Sequence, residues 1–349
     1  MTVIGFHASH EQIPPRDLLA AVQHAEQVGF TAAMCSDHFE PWSVRQGQSG
    51  FAWAWLGAAM ATTSLPFGAV NAPGQRYHPA VIAQGIATLN QMFPGRFWVA
   101  LGSGQLMNEH ITGGKWLRKE LRDARLRECV DVIRALLAGE EVTHDGLVTV
   151  DRARLWTLPE QQPALIAPAV TPETARRGAD WADGLITINQ PHDRLREVLA
   201  AYRDAGGHGP ATLQLHLSWA PDADEAMETA YDQWRSNVLP PPLCWELEGA
   251  KSFDQVAALV SREDVAQAVR VSADLGQHAA WIAEYAELGF DRVVLHHVGQ
   301  TQTAFLDAFG EHVLPQLDVE MPEPTLAIDP PGPPGIRRPE QEPQPAVLA

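Results

Sequence analysis

The sequence predicts an α/β protein, specifically a (β/α)8 TIM barrel with insertion segments. Short apolar segments alternate with amphipathic segments along the chain, and eight apolar segments can be placed. The junction between a helix and a strand occurs twice in similar form, as VGFT at 28–31 and LGFD at 288–291. Alternating strands and helices favour a parallel sheet, and repetition of one such unit is typical of a barrel. The length of 349 residues lies within the range of barrels that carry insertions.

The eight predicted strands are short and mostly apolar. In chain order they are Val3–Phe6, Thr31–Cys35, Phe67–Val70, Phe97–Leu101, Ala164–Ala167, Gly184–Thr187, Leu213–Leu217 and Arg292–Leu295. The fourth of these contains no polar residue, as expected of a strand that is covered on both faces of a parallel sheet.

Helices are predicted where apolar residues recur on one face of the segment between two strands. One begins near Pro15 and ends before Gly29, and a second begins near Pro79. A third covers Arg122–Ala138 and ends before Gly139. Proline in the first turn and glycine after the last turn mark these boundaries.

The domain organisation follows from composition. Residues 1–318 are predicted to form the barrel, and the irregular segment 237–258, with prolines at 240–242, is predicted to hold insertion loops. Residues 319–349 are too rich in proline to bury a core, so we expect a disordered tail there. The sequence allows a homodimer without requiring one, and segment 237–258 is the candidate interface.

Charge and composition limit the partners. The formal charge of −18 makes nucleic acid and anionic membranes unfavourable partners, because both are polyanions. The three cysteines are far apart in the sequence and form no CxxC pair. No segment reaches the ~20 apolar residues of a membrane span. We therefore expect a cytoplasmic protein that acts on a small molecule.

Residues at the carboxyl ends of barrel strands line the active site of such a fold. This rule selects His7 after the first strand and His297 after the last as substrate-binding candidates. The other candidates lie at the ends of strands two to four: Asp37, His38, Trp42, Val70, Asn71, Ala72, Ser103, Gly104, Gln105, Asn108 and Glu109. Histidine suits proton transfer because its unperturbed pKa is ~6.5. Taken alone, the Asp-His pair also fits a turn with a helix cap, and Gly-Ser-Gly fits any tight turn.

Several of these segments together resemble the luciferase-like superfamily of flavin- and deazaflavin-dependent oxidoreductases. They are IGFHASHEQIPPRDL, CSDHFEPW, QRYHPAVIAQ, ALGSGQLMNEH and ELGFDRVVLHHVG, in order over about residues 3–317. The most similar branch contains the relatives of F420-dependent glucose-6-phosphate dehydrogenase, and within it a subgroup predicted to use FMN. The resemblance implies a barrel enzyme that transfers hydride between the cofactor ring and a small organic substrate.

The resemblance also implies roles for individual residues. His38 corresponds to the histidine that exchanges a proton with the substrate hydroxyl, and Trp42 to a tryptophan that holds the reacting groups. Asp37 lies in the cofactor site. Further cofactor contacts are implied for Ser103, Gly104, Gln105, Asn108 and for the peptides of Val70, Asn71 and Ala72. The resemblance includes a non-proline cis bond at residues 69–71.

Three departures from the family pattern bear on the reaction. Gln105 stands where the sugar-phosphate dehydrogenases have a glutamate proposed as the acid, and a neutral amide cannot exchange a proton at pH 7. Glu109, one helical turn later, is the candidate replacement. Val170–Thr171 replaces a Gly-Gly phosphate-binding turn. The positions expected to bind a sugar phosphate, near Pro191, Gln255 and Ala268, are not basic, so we expect glucose 6-phosphate not to be the substrate.

The sequence leaves the cofactor open between FMN and coenzyme F420. The changes at Ala72 and Val170–Thr171 favour FMN, and with FMN a monooxygenase reaction becomes available. Two alternatives from other classes remain. One is a metal-dependent hydrolase in which His7, His38, His297 and Asp37 surround zinc. The other is a flavin-binding protein without catalytic activity, which the loss of the acid at Gln105 would suit.

Overall fold

The computed structural model describes residues 2–317, and within them a parallel sheet closes into a barrel. The strands are β1 (Val3–Ala8), β2 (Ala32–Ser36), β3 (Phe67–Asn71), β4 (Phe97–Leu101), β5 (Val142–Asp145), β6 (Thr149–Ala153), β7 (Leu165–Pro168), β8 (Leu185–Ile188), β9 (Ala211–Ser218), β10 (Arg270–Val271) and β11 (Arg292–His297). The barrel order is β1-β2-β3-β4-β7-β8-β9-β11, and β11 closes it by pairing with β1.

The predicted TIM barrel is therefore confirmed, and each of its eight strands matches a predicted one. The observed strand ends differ from the predicted ends by at most two residues. Extension beyond the apolar run occurs in β1 and β11, because main-chain pairing continues through the polar residues at their carboxyl ends. The short β10 pairs with β9 outside the ring, and β5 and β6 form a separate antiparallel hairpin that the periodicity did not predict.

Helices cover the outside of the barrel. They are α1 (Pro15–Gln27), α2 (Ala52–Thr62), α3 (Pro79–Met92), α4 (Leu106–Glu109), α5 (Lys119–Leu137), α6 (Pro172–Gly178), α7 (His192–Asp204), α8 (Ala223–Trp234), α9 (Leu243–Glu246), α10 (Ala250–Ala257), α11 (Arg262–Ala268), α12 (Leu275–Glu287) and α13 (Thr303–His312). Three single-turn 3-10 helices occupy His110–Thr112, Arg235–Asn237 and Leu314–Gln316. The irregular segment 237–258 thus contains α9 and α10, which the sequence did not resolve.

Two of the four apolar clusters among the described residues pack the strands and helices of the barrel together. The larger core lies between the strands and the surrounding helices, and includes Leu18, Ile86 and Val130. The smaller core fills the barrel interior; its members are Met34, Trp98, Ala100, Ile166, Ile186 and Val294. Because successive residues of a strand face opposite sides, strands β2, β3, β4, β7, β8 and β11 contribute to both cores. This cluster fills the part of the barrel interior below the carboxyl ends of the strands, and the cavity lies between the cluster and those ends.

No helix in the described part of the chain is both long and apolar enough to cross a bilayer. The predicted proline-rich tail at 319–349 lies outside the described residues.

The interior core depends on a glycine that makes room for a large ring. Gly68 of β3 is the register partner of Trp98 on β4. A Cβ placed on Gly68 would lie 2.0 Å from Cζ2 of that indole, which no side-chain pair tolerates. The indole therefore crosses the barrel interior directly over the glycine backbone.

We predict that Gly68→Ala lowers the free energy of unfolding by about 1–3 kcal/mol or more, because the indole has to move within a packed interior. Thermal unfolding followed by circular dichroism would measure this. The matched control is Gly57→Ala in α2, where a Cβ meets nothing within 4 Å; alanine there should raise stability by up to about 1 kcal/mol. Equal effects of the two substitutions would contradict the prediction.

Candidate active site

A cavity of about 650 Å³ opens at the carboxyl ends of the barrel strands. This volume is within the range of small-molecule sites. The structure places twelve of the thirteen predicted site residues on its wall: His7, Asp37, His38, Trp42, Val70, Asn71, Ala72, Ser103, Gly104, Gln105, Asn108 and Glu109. They come from the ends of β1 to β4, so closure of the barrel brings these distant stretches of chain together.

The prediction for His297 was wrong in its geometry. Its ring lies outside the barrel wall and stacks on Phe305 of α13, with ring centroids 4.8 Å apart. The preceding residue, His296, faces the cavity instead. The reason is strand alternation, since neighbouring residues in β11 point to opposite faces. Burial lowers the pKa of His297 to about 3, as expected for a neutral imidazole in an apolar layer.

The zinc-binding alternative needs His297 together with His7, His38 and Asp37. The outward position of His297 removes it from that set. Moreover, no group of three or more potential metal ligands is assembled within residues 2–317. The cavity wall is therefore not arranged as the hydrolase hypothesis requires.

His38 is held between a carboxylate and an indole. Its Nδ1 lies 2.8 Å from Glu11 Oε1, and Trp42 meets the ring edge-to-face with centroids 5.3 Å apart. The short distance brings the imidazole within reach of the carboxylate charge. Burial opposes ionisation of Glu11, but the facing histidine outweighs it and lowers the pKa of Glu11 to about 2. These two contacts leave Nε2 as the nitrogen that faces away from the carboxylate.

Asp37, the neighbour of His38, connects the loops after β2 and β3. Its carboxylate accepts hydrogen bonds from Asn71 Nδ2 at 2.7 Å, Trp53 Nε1 at 3.2 Å and Tyr77 Oη at 3.3 Å. The guanidinium of Arg76 lies 3.4 Å from the same carboxylate and donates to its main-chain oxygen at 2.6 Å. A buried charge needs such partners. Asp37 therefore fixes the shape of this part of the cavity.

The loop after β4 is fixed in a similar way. Asn108 accepts from the main-chain N–H of Phe39 at 2.8 Å and donates to Gln105 Oε1 at 3.2 Å. Gly104 has φ of +85°, and a Cβ there would lie 3.2 Å from Glu109 Cγ. Glycine is therefore required both by the backbone and by the close approach of this side chain. At Gly102 and Gly104 the loop presents main chain to the cavity.

Glu109 is the buried acid of this region. Its Oε2 accepts from the main-chain N–H of Arg76 at 2.6 Å, while Oε1 has no hydrogen-bond partner among the described residues. Burial raises the pKa of Glu109, against the opposing effect of Arg76 and Arg125. A raised pKa is what an acid that gives up a proton needs, so the geometry suits Glu109 as the replacement for the missing family glutamate.

The cis bond expected at residues 69–71 is absent from the structure. Strand β3 pairs in regular register with β4 as far as Asn71 opposite Leu101, and the extended trans backbone continues through it. In the described chain, the cis peptide bond is at Pro241–Pro242.

Residue-by-residue reasoning missed several functional side chains. Glu11 and Arg76 lie in motifs that the sequence singles out, but their roles depend on contacts with His38 and Asp37 across loops, which no local pattern records. Lys119, at the start of α5, donates to Ser103 Oγ at 3.3 Å and lines the cavity. His216 and Trp234 also line it, from β9 and α8.

One wall of the cavity comes from the insertion at residues 237–246, here called the proline-rich wall. Seven of its residues line the cavity: Asn237, Val238, Leu239, Pro240, Pro241, Cys244 and Trp245. Glu246 attaches it to the barrel, because its carboxylate accepts from Arg122 at 3.0 Å and from Trp116 at 2.8 Å. The segment that was a candidate dimer interface thus borders the site.

Known proteins similar to this chain point to one family. Residues 1–292 match the sequence model described as luciferase-like monooxygenase. An F420-dependent glucose-6-phosphate dehydrogenase from Beutenbergia cavernae is 35% identical over 329 residues, covering 91% of this chain and 98% of that protein. A solved F420-dependent secondary alcohol dehydrogenase, in complex with an F420-acetone adduct, is 31% identical with a TM-score of 0.83, covering 90% of this chain and 99% of that one.

A more distant structure shares the fold. Monooxygenase RslO1 from Streptomyces bottropensis is 20% identical with a TM-score of 0.70, and the match covers 90% of this chain and 99% of that one. These similarities confirm the resemblance inferred from the motifs. They give no support to the expectation that glucose 6-phosphate is not a substrate, because the curated relatives include glucose-6-phosphate dehydrogenases.

The contact between Glu11 and His38 generates a prediction about acid stability. The pKa of Glu11 in the folded protein, about 2, lies below its ordinary value of 4.5. Its stabilising contribution is therefore present above pH 4.5 and is lost as the pH falls towards 2. Glu11→Gln should lower the melting temperature near neutral pH, and should lose less of it than the wild type when the pH is lowered from about 6 to about 3.

The exposed Glu140 offers a matched control. Glu140→Gln should follow the wild-type dependence of melting temperature on pH. The prediction would be wrong if Glu11→Gln and the control lost stability in parallel over the acid range.

Proposed function

Because the chain belongs to the luciferase-like monooxygenase family, we propose that this oxidoreductase uses coenzyme F420 to interconvert an alcohol and its carbonyl compound. His38 moves the accompanying proton. The observation that carries the proposal is the fixed position of His38 on the cavity wall, between Glu11 and Trp42.

The cavity wall fits a planar cofactor with polar edges. Asn71 Oδ1, Arg76 Nε and Glu109 Oε1 are buried polar atoms without hydrogen-bond partners in the described chain, and all three residues line the cavity. An acceptor, a donor and a carboxyl at such positions suit the carbonyl and N–H groups of a pyrimidine-like ring edge. The main chain at Gly102 and Gly104 leaves room for the ring.

When bound, the deazaflavin accepts or supplies a hydride. The protein then has to place the substrate, exclude water and handle one proton. The carboxylate of Glu11 holds Nδ1 of His38, so Nε2 is the atom that takes the hydroxyl proton when an alcohol is oxidised and returns it in the reverse direction. Trp42 prevents rotation of the imidazole and shields this contact from water.

F420 is preferred over FMN because relatives at 31–35% identity that match about nine-tenths of this chain are named for it. FMN remains the second candidate. The observation in its favour is Val170–Thr171 on the cavity wall, in place of the Gly-Gly turn of the resemblance. With FMN, a monooxygenase reaction would be available; with F420, the chemistry is confined to hydride transfer.

The basic side chains that line the cavity indicate whether the substrate carries a charge. Arg76, Lys119 and Arg194 line the cavity, and each already faces a carboxylate. Among the three positions at which the sequence pattern places sugar-phosphate contacts, Ala268 lines the cavity and Pro191 and Gln255 do not. We therefore propose an uncharged alcohol as substrate, with glucose 6-phosphate as the first charged compound to compare.

Cofactor identity is the first test. Separate titrations of the purified protein with F420 and FMN should quench its tryptophan emission, since Trp42, Trp234 and Trp245 line the cavity. We expect tighter binding of F420, and mass spectrometry of ligand released from the purified protein should identify the same compound. Binding of FMN alone would establish the second candidate, and binding of neither would exclude the proposal.

The role of His38 gives the second test. His38→Ala should keep the fold and the affinity for the cofactor but lose about 10²–10⁴-fold in turnover, the usual contribution of a general base. The measurement is the rate of F420 reduction with a panel of alcohols. His208→Ala, an exposed histidine, is the matched control. Turnover of His38→Ala at the wild-type rate would refute the assignment.

A further inference from the structure

Helix α10, which follows the proline-rich wall in the chain, packs against the loop that carries Trp42. Phe253 of α10 is fully buried and meets the indole of Trp42 edge-to-face, with ring centroids 5.2 Å apart. Trp42 in turn meets the imidazole of His38 edge-to-face at 5.3 Å. Contacts of this kind favour one relative orientation of two rings. Three rings therefore connect an insertion helix to the residue proposed to move the proton.

Two hydrogen bonds hold α10 and this loop together. The carboxylate of Glu40 accepts from the main-chain N–H of Ala250 at 3.0 Å, and the carboxylate of Asp254 accepts from the main-chain N–H of Val44 at 2.9 Å. In both segments, one bond lies on each side of the aromatic pair. Bonds from a main-chain N–H to a carboxylate are among the stronger hydrogen bonds of proteins. We call these two bonds the α10 clamp.

The α10 clamp depends on a glycine directly before the helix. A Cβ placed on Gly249 would lie 2.6 Å from Glu40 Oε2, which is closer than nonbonded atoms approach. The φ of Gly249 is −178°, an extended value that suits any residue, so the glycine is needed for space. Without a side chain at this position, the carboxylate reaches the first N–H of α10, where the helix dipole also favours a negative charge.

A separate set of hydrogen bonds holds the main chain of Trp42. Its N–H donates to Gln46 Oε1 at 2.9 Å, and Gln46 Nε2 donates to the main-chain oxygen of Gln233 in α8 at 3.0 Å. Gln46 is buried, so these bonds are shielded from water. They fix the backbone at Trp42, whereas the side-chain torsions of the indole depend on what packs against it.

Gln233 is itself attached to the barrel by Gln12. The amide nitrogen of Gln12 donates to the main-chain oxygen of Val298 at 2.5 Å and to Gln233 Oε1 at 3.3 Å. Because a main-chain oxygen can only accept, the other end of this amide, Gln12 Oε1, is the acceptor. Its donor is His296 Nε2 at 3.0 Å. The α8 side of Trp42 is thus connected to β11.

The same chain of hydrogen bonds continues across the barrel to β9. Burial lowers the pKa of His216 to about 3 and also lowers that of His296, so both rings are neutral. Gln214 Nε2 donates to His296 Nδ1 at 3.1 Å and to His216 Nε2 at 3.2 Å. The His216 proton therefore lies on Nδ1, and the carbonyl end of Gln214 is an acceptor. These bonds anchor α8 to two strands without any contribution from α10.

We propose that α10 is a positioning element for the proton transfer. Phe253, held by the α10 clamp, fixes the indole of Trp42, and the indole keeps the imidazole of His38 turned so that Nε2 faces the substrate. Phe253 does not line the cavity, so it acts through Trp42. Such support matters because a reacting group has to stay within about 0.5 Å of its productive position. The inference rests on the proposed function, because it takes His38 as the group that moves the proton.

The orientation of His38 can be tested without cofactor or substrate. In isotope-labelled protein, the imidazole resonances of His38 depend on the neighbouring indole ring, and His38→Ala would assign them. Phe253→Leu keeps an apolar side chain in α10 but loses the aromatic ring, so we expect these resonances to move. Phe309→Leu removes the same ring from a buried site in α13 and should leave them unchanged. Unchanged His38 resonances in a folded Phe253→Leu protein would overturn the proposal.

Turnover of the F420-loaded protein tests the consequence for the reaction. Phe253→Leu should lower kcat about ten- to a hundredfold, as expected for a misplaced reacting group. KM should change little, because no side chain of the cavity wall is altered. The solvent isotope effect on kcat should rise, because proton transfer becomes slower relative to the other steps. Phe309→Leu should keep the wild-type values. A wild-type kcat in folded Phe253→Leu, or a rise in KM alone, would contradict the proposal.

Asp254→Ala tests the α10 clamp separately, and it decides the matter if Phe253→Leu does not fold. It removes the acceptor of the Val44 N–H at a partly exposed position, so the buried cores keep their side chains. We expect the His38 resonances to move and kcat to fall as in Phe253→Leu, by a smaller factor. Gln255→Ala, at the next and exposed position of α10, is the matched control. An Asp254→Ala protein that behaves like this control would overturn the proposal.

The two proposals fail in different ways. If F420 does not bind, or no alcohol is oxidised, the proposed function is wrong, and the His38 resonances of the free protein still decide whether α10 positions this ring. If alcohols are oxidised and Phe253→Leu turns over like the wild type, the proposed function stands and the role of α10 is wrong.

Discussion

A barrel of parallel strands has one rim where all the carboxyl ends meet, and every feature of this site depends on that constraint. Residues separated by hundreds of positions become neighbours there, as Gln12 and His296 do. The same closure buries polar groups, which then have to find partners. The Asp37 carboxylate has four side-chain partners, and the Glu11 carboxylate contacts His38. The charged residues can be read from the local sequence, but they become partners only because the strands close into a barrel.

This explains which parts of the molecule could be predicted from sequence. The strands are visible because a parallel strand covered on both faces is an apolar run, as Phe97–Leu101 shows. The cavity position of His38 follows from the strand-end rule. The outward position of His297 depends on the phase of alternation in β11, which the apolar run did not define because both faces are buried. The role of Glu11 depends on a contact across two loops, which no local pattern records.

The residues that line the cavity come from two kinds of segment: the strands with their first loops, and an insertion. The strands and the first loops carry His38 and the network around Asp37, and these segments hold the motifs that carry the resemblance. The proline-rich wall comes from an insertion, and Gln214 and His216 come from β9; neither segment belongs to the motifs that carry the resemblance. The two sides of the cavity are therefore built from separate stretches of chain.

The chain of hydrogen bonds that begins at Val298 has a geometric consequence. A backbone carbonyl cannot exchange its role, so the donor at His216 and the acceptor at Gln214 cannot trade places. The polarity of this whole chain is therefore set by one main-chain oxygen, and reversing the Gln12 amide would reverse every donor and acceptor from His296 to His216.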